Sequence, residues 1–564
     1  MNREACIKAL GDTGRVWDVV VIGGGATGLG AAVDAAARGY STLLVEQHDF
    51  AKGTSSRSTK LIHGGVRYLR QGHVGLVREA LHERGVLRRI APHLVRDLAF
   101  VVPVYDWWEG PFYGLGFKLY DALAGDLGIA PSRPLTRRET LMRIPTVRPE
   151  GLRGGVVYHD AQFDDARLAI TLARTCADLG GVPVNYLKVL RLLKSKGRIC
   201  GVLVRDEDDP AHPTMDIRAR VVINATGVFG DSIRKLDRRD APPLARFSQG
   251  VHLVLDRSFL PGDSAIMVPQ TEDGRVLFAV PWHDRVLLGT TDTAVKRSAL
   301  EPIPLEPEIN YLLRHAARYL SHAPKRGDVL SMFAGLRPLF SARRGSPTAA
   351  LSREHFIEVS PSGLVTITGG KWTTYRRMGA DVVDRAAEIA GLPVRTSATE
   401  TLNLHGWDVA PPLGALSVYG SDAARIEALA RKEPALAAPI HERLPYRAVE
   451  VAWAARHEMA RTIEDVLARR TRALLLDARA SIEAAPRVAG LLAAALGHDA
   501  AWADAQVAAY RRVASRYEGK KERGQERGQS AHSSRMRLTW WDERAKVRTC
   551  RGASESSMRG RSIT

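Results

Sequence analysis

The apolar positions of this chain come in two kinds of pattern. The first is a set of uninterrupted runs. Val19, Val20, Val21 and Ile22 read as a strand, and a glycine turn follows at once: Gly23, Gly24, Gly25, Ala26, Thr27, Gly28. Small residues over 31–37 then read as a helix closed by Arg38 and Gly39, and Thr42–Val45 as a second strand ending on Glu46. Residues 74–90 carry Leu76, Ala80, Leu87 and Ile90 at helical spacing, with Pro92 as the stop. Asp164 and Asp165 open another small-residue helix, where acids suit the N-terminus. Residues 184–193 and 199–205 predict a strand pair that leads to Val221, Val222, Ile223 and then Asn224-Ala225-Thr226-Gly227. The second kind is short and alternating. Residues 252–255, 275–280 and 286–289 predict an antiparallel sheet. Beyond residue 400 the chain reads as helical to about 518, with Ala452, Ala455, Met459, Ile463 and Val466 on one face.

The strand, glycine turn, helix and strand that open the chain form a unit with a chemical meaning. Gly23 permits the tight turn, Gly25 lets backbone approach a pyrophosphate, and Gly28 allows helix to pack closely on strand. Phosphates would meet free amides at the helix N-terminus. Glu46 stands 18 residues after Gly28, where its carboxylate can accept from both ribose hydroxyls of an adenosine.

The polar loop Gly53-Thr54-Ser55-Ser56-Arg57-Ser58-Thr59-Lys60 runs into Leu61-Ile62-His63-Gly64-Gly65-Val66-Arg67-Tyr68. With the glycine turn it resembles the FAD-dependent glycerol-3-phosphate dehydrogenases. Members carry Gly-Thr-Ser-Ser-Arg-Ser-x-Lys-Leu-Ile-His-Gly-Gly-x-Arg-Tyr here, and the chain matches every fixed place. The same family shows Asp-Asp-Ala-Arg-Leu at 164–168, Gly-x-His at 250–252, Gly-Thr-Thr-Asp at 289–292 and Gly-Gly-Lys-x-Thr-Thr-Tyr-Arg at 369–376. Glu458-Met459-Ala460 and Leu467-Ala468-Arg469-Arg470-Thr471 resemble its C-terminal helical domain. Resemblance covers about residues 16 to 515. Leu29 replaces a usually small residue on the first helical turn. Gly379 replaces the usual alanine, at a helix cost of up to about 1 kcal/mol.

Composition adds bounds. Apolar content of 45% and charged content of 25% are ordinary for a soluble globular protein. No apolar run reaches the roughly 18 residues that span a bilayer, and no signal-peptide pattern opens the chain. Cys6, Cys176, Cys200 and Cys550 lie far apart without a Cys-x-x-Cys, against a metal site or disulfide framework and consistent with a reducing cytoplasm. Net charge is +19, of which residues 520–564 supply twelve Lys or Arg against five Asp or Glu. The charge of the body is dispersed, which favours an anionic membrane surface and a phosphorylated substrate over nucleic acid. The tail repeats Glu-Arg-Gly-Gln at 522–529 and has the composition of a disordered segment. Residues 105–120 are dense in aromatics, among them Trp107, Trp108, Phe112, Tyr113 and Phe117; a buried packing cluster and an interfacial or quinone-facing surface both fit.

The fold expected is α/β: a two-dinucleotide-binding-type FAD domain, an inserted antiparallel β-sheet substrate domain and an α-helical C-terminal domain. Residues 1–17 read as a lead-in, 18–245 plus 335–399 as the FAD-binding part, 246–334 with parts of 75–155 as the substrate part, 400–518 as the helical part and 519–564 as the tail. The resemblance implies non-covalent FAD, touched by Gly23, Gly25, Gly28, Glu46, Thr54, Ser55, Leu61, His63, Gly64, Ala225, Thr226, Gly227, Gly335, Gly370 and Thr373. It implies oxidation of sn-glycerol 3-phosphate to dihydroxyacetone phosphate, hydride passing from C2 to flavin N5. Electrons would go to membrane quinone from a protein held peripherally at the inner face of the cell membrane; a homodimer is compatible with it. A phosphate dianion needs cations, and Arg67 and Lys371 are the candidates, with Tyr68 adding a hydrogen bond. His252 is the candidate proton acceptor, and Arg337 the other candidate partner of the C2 oxygen, or a third cation for the phosphate. The rival readings are an oxygen-reducing oxidase of the same fold, acting on glycerol phosphate or an amino acid, and a flavin-binding RNA-associated or scaffold protein.

Overall fold

A computed structural model describes residues 1–70, 72–268, 271, 275–340, 355–408 and 414–519, without the side chains of Arg67 and Arg70. The tail from 520 onward, with Cys550, therefore lies outside the described residues, as does the Arg67 side chain.

The opening apolar run is the middle of a sheet. Val16–Ile22 pairs in parallel with Met215–Asn224 on one side and Thr42–Val45 on the other. Val365–Gly369 and Val182–Val184 extend the parallel order outward. His355–Val359 closes one edge antiparallel, and the hairpin Leu187–Ser195 and Arg198–Asp206 joins through Met215–Asn224. A strand covered on both faces has no polar side to show. Val19 and Val21 pack under the helices Ala26–Ala37 and Asp165–Asp178, while Val20 and Ile22 pack under the hairpin.

Leu29, the odd residue of the first helical turn, is fully buried in that core. Gly379 has a reason that propensity does not supply. The helices Ala26–Ala37 and Tyr375–Ala390 touch backbone to backbone: a Cβ at Gly379 would stand 2.6 Å from the Gly30 carbonyl carbon, and one at Gly30 would stand 2.9 Å from Tyr375. An alanine's helix preference is worth less than that close approach.

The second sheet holds the alternating runs. Ala245–Asp256, Arg285–Gly289, Leu277–Trp282 and Ala265–Val268 pair antiparallel in that order. Val95–Val104 continues the sheet in parallel, then Gly154–Phe163 and Leu61–Ile62 antiparallel. Val329–Phe340 pairs with Ala245–Asp256 along its whole length. Here the strands depart from the boundary expected at 335: residues 335–340 continue a strand of the second sheet, because their partners are Ala245 to Gly250.

The helical region also departs from its expected run. Ala448–His457 ends before Met459, which takes a left-handed backbone with φ of 56°. Met459, Ile463 and Val466 are still buried, but on a new segment. The break turns Glu458 inward. Its carboxylate accepts from both Arg167 terminal nitrogens at 2.8 Å, and its carbonyl from Arg470 at 2.7 Å. Arg470 also grips both oxygens of Asp49, at 2.6 and 2.8 Å. These groups are buried, so losing one partner strands a charge, at about 3–5 kcal/mol.

Candidate active site

The end of the site at the glycine turn is built from backbone. Gly23 has φ of 113°, and a Cβ there would stand 2.7 Å from the Ala225 carbonyl oxygen. Gly25 is the N-cap of Ala26–Ala37 and gives it no side-chain cap. A Cβ on Gly28 would lie 1.9 Å from the Gly23 carbonyl oxygen, so this glycine serves the packing beneath the turn. Ser55 Oγ accepts from the Ala26 amide at 2.9 Å. Glu46 lies across the turn: its carboxylate accepts from the Gly24 amide at 2.7 Å and the His48 amide at 2.8 Å. Burial pushes its proton affinity up, and those two amides push it back. Gly23, Gly25, Glu46, Ala225, Thr226 and Gly227 line a cavity of about 250 Å³.

That cavity adjoins a larger one of about 1060 Å³, with Ala26, Thr27, Thr54, Ser55 and Gly227 in both walls. Of the expected cofactor residues, Leu61, His63, Gly335, Gly370 and Thr373 line the larger cavity as well. Gly64 is behind the wall, where its amide donates to the Tyr120 hydroxyl at 2.8 Å. Tyr120 donates in turn to Asp160, whose carboxylate also meets Arg84 at 2.6 Å. The turn carrying His63 to Tyr68 is thereby tied to the helix Glu109–Ala124.

The far end is built from side chains. Tyr68, His252, Arg337 and Lys371 all line the larger cavity. The Lys371 ammonium stands 4.2 Å from the centre of the Tyr68 ring, a cation–π contact. Arg337 donates to the Thr290 hydroxyl at 3.1 Å and the Thr291 carbonyl at 3.2 Å, with the Asp292 carboxylate at 3.7 Å. The Gly-Thr-Thr-Asp segment therefore aims a guanidinium. Gly250 and Gly289 make the room: a Cβ on the first would stand 2.3 Å from Arg337, and on the second 2.2 Å from His252.

His252 is buried and stacks on Phe333 with ring centres 5.0 Å apart. Its Nε2 lies 2.9 Å from Thr59 Oγ1, and its Nδ1 has no hydrogen-bond partner among the described residues. Burial, then the nearby Lys60 and Arg337 cations, holds its proton affinity well below the usual imidazole range. The ring is neutral at physiological pH. Lys60 is wholly buried; its ammonium meets Asp165 at 2.6 Å and the Ser56 carbonyl at 2.8 Å, and burial first pushes its pKa down to about 7. Arg472 reaches the same Asp165 at 3.1 Å from the helical region.

Thr59, Phe333 and the Asp165 network had no place in the sequence reading. Thr59 stands at the variable place of its loop motif, and Asp165 read as a helix-starting acid. Lys60 gave no signal of burial, because it follows a polar loop; only its partner Asp165, 105 positions on, shows that it is buried.

The larger cavity has a second character. Phe100, Phe117, Tyr158, Met267, Phe278 and Leu69 make one wall apolar. It continues to the helix Glu109–Ala124, where Phe112, Leu115 and Leu119 line the cavity yet are 51%, 74% and 50% exposed. Trp107 and Trp108 stand exposed just before it, at 76% and 46%. The aromatic segment is therefore two-faced, with Phe117 and Tyr120 buried.

Comparison with known proteins bears on this site. The family described as FAD dependent oxidoreductase matches residues 18–376, and the C-terminal domain of alpha-glycerophosphate oxidase matches 367–503. The chain is similar to glycerol-3-phosphate dehydrogenase 2 of Mycobacterium bovis, at 41% identity over 90% of this chain and 89% of that protein. It is similar to the mitochondrial glycerol-3-phosphate dehydrogenase of Homo sapiens, at 40% identity over 88% and 73%. Among solved structures, the Bacillus halodurans glycerol-3-phosphate dehydrogenase complexed with FAD superposes with a TM-score of 0.73 and 28% identity, over 91% of this chain and 97% of that one.

Proposed function

Because the chain belongs to the FAD-dependent glycerol-3-phosphate dehydrogenases, we propose that it oxidises sn-glycerol 3-phosphate to dihydroxyacetone phosphate and delivers the electrons to a membrane quinone. The residues present fit FAD. Gly23 and Gly28 leave no room for a Cβ, the helix behind them has no side-chain cap, and Glu46 presents a half-buried carboxylate to the smaller cavity. Bound there without a covalent link, FAD supplies the hydride acceptor. Gly23, Gly25, Ala225, Thr226 and Gly227 would hold its nucleotide half. Thr54, Ser55, Leu61, His63, Gly335, Gly370 and Thr373 would border the half that enters the larger cavity.

One observation carries the substrate reading: four segments far apart in the chain bring Tyr68, His252, Arg337 and Lys371 to one cavity, contiguous with the nucleotide cavity. Lys371, steadied by Tyr68, is a point charge for the phosphate, and Arg67 belongs with it by its motif. Arg337 is held by Thr290, Thr291 and Asp292, and its guanidinium stabilises charge developing on the C2 oxygen. His252 is neutral and so able to accept the hydroxyl proton. The two cations beside it make it a weak acceptor until an anionic substrate offsets them.

The apolar wall supports a quinone, since glycerol phosphate has no use for it. The exposed Trp107, Trp108, Phe112, Leu115 and Leu119 support contact with the membrane interface, aided by the chain's positive charge on an anionic inner leaflet. Among the described residues no helix is long and apolar enough to cross a membrane. The match of the C-terminal helices to an oxidase domain keeps oxygen as the rival acceptor.

The test is anaerobic. Glycerol 3-phosphate should bleach the flavin, and glycerol or amino acids should not at equal concentration. A short-chain quinone should then restore the colour faster than air-saturated buffer. No bleaching by glycerol 3-phosphate would refute the substrate; faster recovery in air, with peroxide formed in step, would refute the quinone.

A further inference from the structure

We infer that Glu308 is a positioning residue for the oxidation: its side chain holds the Thr291 hydroxyl, and that bond aims the Thr291 carbonyl at the Arg337 guanidinium. The inference rests on the reading above that Arg337 stabilises charge developing on the C2 oxygen.

Glu308 is the third residue of the helix Glu306–Tyr319, whose Ile309, Leu312 and Ala316 pack with Val251, Leu253 and Leu288 of the second sheet. It is 5% exposed and stands outside the cavity walls, whereas Thr290, Thr291, Asp292 and Arg337 form part of them. A glutamate at this helical position has an ordinary duty, which is to accept from the amide three residues before it. Oε2 performs it, accepting from the Leu305 amide at 3.0 Å. Oε2 also accepts from Gln249 Nε2 at 2.8 Å, and the same Nε2 donates to the Ile303 carbonyl at 3.0 Å. The cap leaves Oε1 over, and Oε1 accepts from the Thr291 hydroxyl at 2.9 Å.

Thr291 is held at both ends. Its Oγ1 accepts from the Val251 amide at 2.9 Å. A hydroxyl has one proton, and here it goes to Glu308. So pinned, the side chain has one rotamer that keeps both bonds. This matters because residues 290–292 lie between the strands Arg285–Gly289 and Thr293–Val295 and belong to neither. The Thr291 peptide takes its orientation from its side chain rather than from a strand ladder.

Arg337, opposite Ser248 on the paired strand, donates to the Thr291 carbonyl at 3.2 Å and to the Thr290 hydroxyl at 3.1 Å. A guanidinium is planar and its donors leave in fixed directions. Turning the carbonyl that anchors it therefore turns the donors that face the cavity. The line of contacts runs from Glu308 through Thr291 to Arg337, from a buried helix start to a cavity wall.

The experiment is a double-mutant cycle of Glu308→Gln with Arg337→Ala, read as the rate of anaerobic flavin reduction by glycerol 3-phosphate at equal flavin content. A glutamine has one oxygen where three donors converge, from Thr291, Gln249 and Leu305, so it cannot serve the cap and Thr291 together. Glu308→Gln alone should slow reduction about 10- to 100-fold, the cost of misplacing a reacting-site group by about 1 Å, with the half-saturating substrate concentration within about threefold of wild type. In the Arg337→Ala background the same change should cost less than about twofold, because the group it positions is gone. Equal losses in both backgrounds would make Glu308 a part of the fold alone and overturn the inference. So would wild-type speed in Glu308→Gln. If Glu308→Gln yields no flavin-loaded protein, Thr291→Val, which removes the same link and leaves the helix cap in place, is carried through the same cycle with the same outcomes. Wild-type speed in Arg337→Ala would overturn the premise instead.

Discussion

The two ends of the active-site cavity are made of different material. At the glycine-turn end the contacts are glycines, amides and one carboxylate, many of them from the single stretch between residues 22 and 55, with Ala225, Thr226 and Gly227 from a neighbouring strand end. At the substrate end they are long side chains from segments hundreds of residues apart: Thr59 and His252 are separated by 193 positions. A backbone site cannot be tuned by exchanging side chains, only destroyed by adding one. A side-chain site can be altered one function at a time. On the function proposed above, cofactor binding rests on local geometry and the choice of substrate on long-range convergence.

The largest effect should come from the backbone end. Gly28→Val puts a side chain where a Cβ is already 1.9 Å from the Gly23 carbonyl oxygen, and backbone cannot step aside there. Flavin-loaded protein should be lost altogether, as read by the flavin-to-protein absorbance ratio; normal loading would mean the turn is looser than drawn. At the other end, Arg337→Ala should keep its flavin and lose at least about a hundredfold in kcat/KM for both glycerol 3-phosphate and glycerol, because removing one donor to a developing oxyanion costs about 2.7–4 kcal/mol. A loss confined to glycerol 3-phosphate would move Arg337 to the phosphate.

The same division explains what the sequence made legible. The run Val19 to Ile22, the turn and Glu46 are neighbours in the chain, so their spacing states their geometry, and the alternating runs near 252, 277 and 287 state an antiparallel sheet. Strand register is another matter. That His252 lies opposite both Gly289 and Phe333 depends on two pairings set by packing on both sides. That residues 335–340, grouped by sequence with the FAD-binding part, pair with Ala245 to Gly250 depends on register in the same way. Gly379 read as a helix defect because the partner backbone at Gly30 is 349 positions away. Arg469, Arg470 and Arg472 are buried against Asp49 and Asp165. Nothing in their own segment announces that.

A smaller effect concerns pH. His252 has its proton affinity lowered by burial, Lys60 and Arg337. A lowered value means the neutral form persists as pH falls, and activity is lost only when pH drops through the shifted value. The acid limb of kcat/KM should therefore lie well below 6.5, and Lys60→Met, which removes one cation, should move it upward. A limb near 6.5 in wild type, unmoved in Lys60→Met, would break the electrostatic link between the loop and the histidine.

The claim that side chains at the far end choose the substrate is tested most directly by Lys371→Ala at matched flavin content. A charge-assisted hydrogen bond is worth roughly 1.5–3 kcal/mol. The variant should lose at least about tenfold in kcat/KM for glycerol 3-phosphate, since about 1.4 kcal/mol is one decade. Its slow oxidation of glycerol, which has no phosphate, should change much less. Equal losses for the two substrates at full flavin loading would contradict the account and move Lys371 to the flavin or the chemical step.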